Sequence, residues 1–150
     1  MDFNLLFILI LPLLSILFIA SMKFILDKQE RYTIFKPEED NLNSLIAPQL
    51  KSEFVILANE GINNLILDLS SVRYVDSSGL SSILTARRLW TQLGSFVVTG
   101  VEHAAVKRLV EISKVDSVLT ILPTVSESVD YVFMEDLQRD LQASPEEETE

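Results

Sequence analysis

Leu65-Ile66-Leu67-Asp68-Leu69-Ser70-Ser71-Val72-Arg73-Tyr74-Val75-Asp76-Ser77-Ser78-Gly79-Leu80 is the stretch on which the reading of this chain turns. An apolar run, broken only by Asp68, suits a strand covered on both faces. A short connector leads into Asp-Ser-Ser-Gly, and an amphipathic pattern starts at once, with Leu80, Ile83, Leu84, Leu89 and Leu93 at helical spacing before Gly94. The spacing predicts a strand, a turn and a helix whose N-terminus carries two hydroxyls. Backbone N–H groups point outward there and the helix dipole favours negative charge. Asp76 fits the N-cap, and Gly79 permits close backbone approach or access for a partner. Two readings of the turn follow from the residues alone. It can be plain capping chemistry, or it can present a serine whose phosphorylation changes the charge of an exposed rim.

The flanks extend the alternation. Lys23–Lys28 and Arg31–Lys36 read as two strands, joined as a hairpin through Lys28-Gln29-Glu30 and ended by Pro37. Leu42, Leu45, Ile46, Leu50, Phe54 and Leu57 recur at three and four, predicting a helix capped by Asn41 or Asn43 and closed near Gly61. Phe96–Thr99 is a further strand, Ala104–Ser113 a helix and Val118–Leu122 another strand. Pro123 and Thr124 open a last helix with the stripe Val125, Val129, Phe133, Leu137 and Leu141. Alternating strands and helices predict one α/β domain over 22–142, with a mixed, mostly parallel sheet and about four helices.

Composition narrows the function. The chain has 150 residues and is 48% hydrophobic, enough for one ordinary domain with a packed core. Its net charge of -10 argues against nucleic acid as a partner, because phosphate backbones call for Lys/Arg patches. There is no cysteine, which removes disulfides, thiolate catalysis and Cys-ligated zinc. His103 is the one histidine, so no His-rich metal site or His-based triad is available. No Gly-rich phosphate loop, metal-ligand set or nucleophile–base pair stands beside Asp68 and Asp76, so neither an enzyme nor a cofactor is expected. Glu146–Glu150 falls in an acidic tail, 143–150, expected to be solvated.

Phe3 to Ala20 is almost wholly apolar, broken by Pro12 and Ser15. One reading makes residues 1–21 a membrane helix, since a span takes roughly 17–25 residues. Lys23, Lys28 and Arg31 would then hold the domain on the cytoplasmic side of an inner membrane. The other starts the working protein at Met22, with 1–21 as upstream sequence. Either way a cytoplasmic domain is expected.

From Leu65 to Leu93 the chain resembles the STAS domain, the family of anti-sigma factor antagonists. Ile66-Leu67-Asp68-Leu69, then Val72-Arg73-Tyr74-Val75, then Asp76-Ser77-Ser78-Gly79-Leu80 are similar to its hallmark. The likeness continues through Gly94–Gly100 and Ala105–Leu109 and covers roughly Lys23 to Leu141. The resemblance implies phosphorylation at Ser77 and a partner surface of Asp76, Ser77, Ser78, Gly79 and Leu80. It also implies an anti-sigma factor with serine kinase activity of the GHKL type as partner, and a phosphatase that resets the switch. The chain departs from the family at Lys36-Pro37-Glu38-Glu39-Asp40, where many members carry a Gly-Glu-Leu-Asp-like turn. The alternative is a membrane-attached STAS module serving a transporter, a lipid-trafficking complex or another signalling assembly.

Among the other residues, Arg87 and Arg88 follow Ser77 on the same helix, with at least one expected in solvent and able to meet an acidic partner. Trp90 is expected to be partly buried against the C-terminal helix.

Overall fold

Strands Leu65–Asp68 (β4) and Phe96–Thr99 (β6) are buried at every position and pair in parallel, with Leu65 opposite Phe96 and Asp68 opposite Thr99. Their alternation sends Leu65, Leu67, Phe96 and Val98 to one face and Ile66 and Val97 to the other. The computed structural model describes residues 2–19 and 21–143. Around this pair the sheet is completed by Phe24–Lys28 (β1), Thr33–Pro37 (β2) and Thr120–Leu122 (β7), in the order β1-β2-β4-β6-β7. Only the β1–β2 pairing is antiparallel, as the short hairpin requires.

Helices Ala47–Asn59 (α2), Ser77–Trp90 (α3) and Ala104–Ser113 (α4) contribute to the larger core. Phe54 of α2 meets Phe35, Trp90 and Phe96 at ring-centroid distances of 5.5, 6.4 and 6.3 Å. Val125–Ala143 (α5) covers the opposite face, with Val132 against Ile66 and Val97. This is the expected α/β architecture with a mixed, mostly parallel sheet. A 3-10 turn at Val115–Ser117 leads into β7.

Helix α2 ends where Gly61 predicts. Gly61 has φ +83, its N–H donates to the Ala58 carbonyl, and the Ile62 N–H reaches back to Leu57. Those two bonds satisfy carbonyls that the helix end leaves without partners.

Several expectations are corrected. Leu42 does not belong to α2: Asn41–Leu42 is a two-residue strand (β3), parallel to Tyr74–Val75 (β5). The Asn43 carbonyl accepts from Ile46 and Ala47, so a turn precedes the helix, and Pro48 lies in its first turn. Strand β7 begins at Thr120 and not at Val118, because the 3-10 turn consumes the preceding residues. Trp90 is fully buried among Phe54 and Phe96, on the α2 side of the sheet, and donates Nε1–H to the Ile62 carbonyl at 3.1 Å. On α5 the buried residues are Ser128 and Val132, whereas Phe133, Leu137 and Leu141 are exposed.

The apolar N-terminal segment is helical over Phe3–Ile19 (α1), 17 residues with Pro12 inside. Among the described residues no helix is long and apolar enough to cross a membrane, so the expected span is not supported. The acidic tail beyond Ala143 lies outside the described residues.

Trp90→Ala should cost about 3–5 kcal/mol, through lost transfer energy, a cavity and the released Ile62 carbonyl. Urea unfolding should show a lower midpoint with an unchanged slope.

Candidate functional site

Asp76 is extended, with φ -93 and ψ -176, and its Oδ1 accepts from the Gly79 N–H at 2.9 Å. It is the N-cap the sequence predicts, and it fixes where α3 starts. The Asp76 N–H donates to the Leu42 carbonyl of β3 at 3.1 Å. Gly79 lies against that same carbonyl; a Cβ on it would stand 2.3 Å from the Leu42 oxygen. Only glycine fits there, because the obstruction is backbone and cannot rotate away.

Ser82, one turn further on, is fully buried and its hydroxyl shares its proton between Ala47 and Ser78 carbonyls at 3.2 and 3.1 Å. It ties α3 to the start of α2. The N-terminus of α3 is thus held by its cap, by β3 and by α2.

On this mount Asp76 and Ser77 are exposed and Ser78 is half-buried. Gly79 is buried and Leu80 packs against the core, so these two position the rim and do not face outward. A groove of about 410 Å³ opens beside the serines, with Ser77, Ser78 and Ser81 on one wall and Ser44, Pro48 and Lys51 of the α2 side on the other. Sequence reading missed the second wall. Reading 42–57 as one helix hid the turn that brings Ser44 here; Pro48, two residues into the helix, was the available signal.

The electrostatics are mixed. The α3 N-terminus and the Lys51 ammonium favour an anion at Ser77, while the exposed Asp76 carboxylate, already accepting from Gly79, opposes it. Next to this rim, Arg73 and Tyr74 N–H groups donate to the Asp40 carbonyl at 2.8 and 3.0 Å. The divergent segment Lys36–Asp40 therefore holds the connector that precedes the Asp76-Ser77-Ser78-Gly79 turn.

The remaining candidates have structural partners. Asp68 Oδ1 accepts from the Ser70 N–H at 3.0 Å, and His103 Nε2 stands 3.2 Å from the Ser70 carbonyl. Asp68 and Asp76 are thus each committed to a separate backbone amide. Among the described residues no group of three or more His, Cys, Asp or Glu can hold a metal ion. Arg87 and Arg88 are both exposed, at the far end of α3.

The STAS domain family model matches residues 9–128. The chain belongs to the STAS domain family. A Thermotoga neapolitana protein, assigned by name as an anti-sigma factor antagonist and homologue of TM1081, is 30% identical over 74 residues. That match spans 49% of this chain and 66% of the relative, slightly less than two thirds of its length. The crystal structure of the Thermotoga maritima protein superposes with a TM-score of 0.65 at 26% identity, over 73% of this chain and 93% of that one. The Bacillus antagonist SpoIIAA, solved in unphosphorylated and phosphorylated forms, shares the fold with TM-scores of 0.62 and 0.56. Identity to those two structures is 17% and 16%, with 73% of this chain and 96% and 99% of theirs covered.

In this STAS domain, Asp76→Ala should lower stability by about 0.5–2 kcal/mol, the usual loss of an N-cap. Gly79→Ala should do more damage, because α3 must move off β3. Thermal unfolding of the two variants should rank them in that order.

Proposed function

We propose that this chain is an anti-sigma factor antagonist, switched by phosphorylation of Ser77. One observation carries the reading: the Ser77 hydroxyl is exposed at the capped start of α3, beside a groove, on backbone held at three points. Family membership and the Thermotoga relative named as an antagonist support it. The fold shared with a protein known in both phosphorylation states agrees with it.

The partner is an anti-sigma factor with serine kinase activity of the GHKL type. It docks on the rim of Asp76, Ser77 and Ser78 and on the groove wall with Lys51. Docking withdraws the anti-sigma factor from its sigma factor. The kinase then moves the γ-phosphoryl group of ATP onto Ser77 Oγ; the new O–P bond replaces the bond to ADP, and the hydroxyl proton leaves to a base on the kinase. A phosphatase returns the serine. This chain contributes a docking surface and an acceptor hydroxyl, with no catalysis of its own. A partner that supplies ATP places the domain on the cytoplasmic side.

The energetics favour a switch of charge over one of shape. Phosphate adds about -1.5 to -2 charges at neutral pH. The helix N-terminus offsets this by ~0.3–1 kcal/mol, so the folded domain tolerates it. A surface shaped for a neutral hydroxyl meets an unmatched dianion, which can cost several kcal/mol. Each 1.4 kcal/mol is about tenfold in affinity.

Incubation with the cognate kinase and ATP should add one phosphate, mapped to Ser77 by peptide mass. Ser77→Ala should remain unmodified and still bind, and Ser77→Asp should bind at least about tenfold more weakly. Phosphate on another residue, or none in the presence of an active kinase, rules the reading out.

A further inference from the structure

The pole opposite Ser77 carries a second site. Arg87 and Arg88 occupy the last turn of α3, and Lys114 caps the C-terminus of α4. With Leu84, Ser113 and Val118 they line a cleft of about 270 Å³, and among the described residues no acidic side chain lies on its wall. Among the described residues none of these three cations has a carboxylate within 4.0 Å. Of the twelve basic residues eight lack such a partner among the described residues, and these three share one cleft. Lys114 is also the one non-glycine with positive φ among the described residues, at 54°. Glycine or asparagine is the common choice in that conformation, so a lysine there forgoes the easier backbone. Both Ser117 N–H and Ser117 Oγ–H donate to the Lys114 carbonyl and fix it.

The course of α5 supplies the occupant. Its Asp136 and Arg139 meet Asn64 and Ser95, the residues immediately before β4 and β6. The helix therefore ends at the pole where Arg87 and Arg88 stand. Arg139 and Arg87 share the wall of an adjoining cleft of about 180 Å³, which also carries Glu135. Beyond Ala143 the sequence runs Ser-Pro-Glu-Glu-Glu-Thr-Glu, with four glutamates. Extended chain spans ~3.3–3.6 Å per residue, so Glu146 to Glu150 reach ~10 to ~25 Å from Ala143.

We propose that the Arg87–Arg88–Lys114 cleft is a carboxylate-binding site, occupied in cis by the chain's own Glu146–Glu150 tail. Arg87 Nε–H already donates to the Val118 carbonyl at 2.6 Å; docking adds the carboxylates that the described residues do not bring to the three cations and draws four like charges onto them. It does not depend on the Ser77 reading. Helix α3 has 14 residues, so its two ends are about 21 Å apart, beyond a Debye length of about 8–10 Å. A phosphate at one end leaves the tail at the other nearly undisturbed.

Zero-length carbodiimide coupling of lysine to glutamate tests this on the full chain, dispersed in non-ionic detergent. The Lys28–Glu60 pair, 2.9 Å apart, is the internal control. Of the six lysines in the sequence, Lys114 should be the one coupled to the tail. In a mixture of unlabelled and nitrogen-15 chains the product should stay within one isotope. Arg88→Ala removes an exposed side chain and should lower tail coupling roughly two- to fivefold, the range of one exposed ion pair, with Lys28–Glu60 unchanged. Three results overturn the proposal: control product without Lys114–tail product, tail product spread evenly over Lys51, Lys107 and Lys114, or mixed-isotope product.

Discussion

The site depends on the Leu42 carbonyl. It accepts the Asp76 N–H, and the Gly79 backbone is pressed against it so closely that a methyl group has no room. A contact of that kind leaves the start of α3 little freedom of position. The rim serines inherit this rigidity, since Asp76, Gly79 and Ser82 each add a bond or a contact that fixes the same turn. A hydroxyl displayed in this way changes its surroundings by charge alone when it is modified, because the backbone beneath it has nowhere to go.

The molecule is polar in the geometric sense. One end of the sheet presents the exposed Ser77 hydroxyl and a groove; the other gathers Arg87, Arg88 and Lys114. Helix α3 contributes to both ends and packs between them through Ile83, Ala86 and Trp90, all in the core. Its N-terminal dipole suits an anion and its C-terminal arginines complement the opposite sign of the dipole there.

Most of the architecture could be read from residue pattern. The all-buried strands appear as apolar runs, Gly61 and Gly94 mark helix ends, and the Asp76 cap is written in one residue. The failures share a cause. Leu42 has helical spacing to Leu45 and Ile46, and what makes it a strand residue is a two-residue ladder to Tyr74–Val75, set by tertiary contact. The Phe133, Leu137 and Leu141 stripe is apolar, yet the buried face runs through Ser128 and Val132. A buried serine is tolerated there because its hydroxyl donates to the Thr124 carbonyl one turn back. At the site, Asp76, Ser77 and Ser78 were visible in sequence, whereas Ser44 and Lys51 reach the groove only through the path of the preceding turn. The apolar length of the N-terminal segment suggested a span, yet among the described residues no helix is long and apolar enough to cross a membrane.

Asn64 carries a different consequence. Its amide nitrogen donates to the Arg31 carbonyl at 2.7 Å and to Asp136, and its oxygen accepts from the Ser95 N–H at 2.9 Å and from Arg139 at 3.0 Å. One buried amide thus staples three strand ends to the last helix, which itself buries only Ser128 and Val132 among its side chains. That helix is fastened by this polar clasp together with Val132, Val129 and Tyr131 packed in the cluster of Ile66 and Val97. Its undocking would bare Ile66 and Val97 while leaving the aromatic cluster on the far face intact. The fold therefore has a seam along which it can open in part, and Asn64 is where the polar contacts across that seam converge.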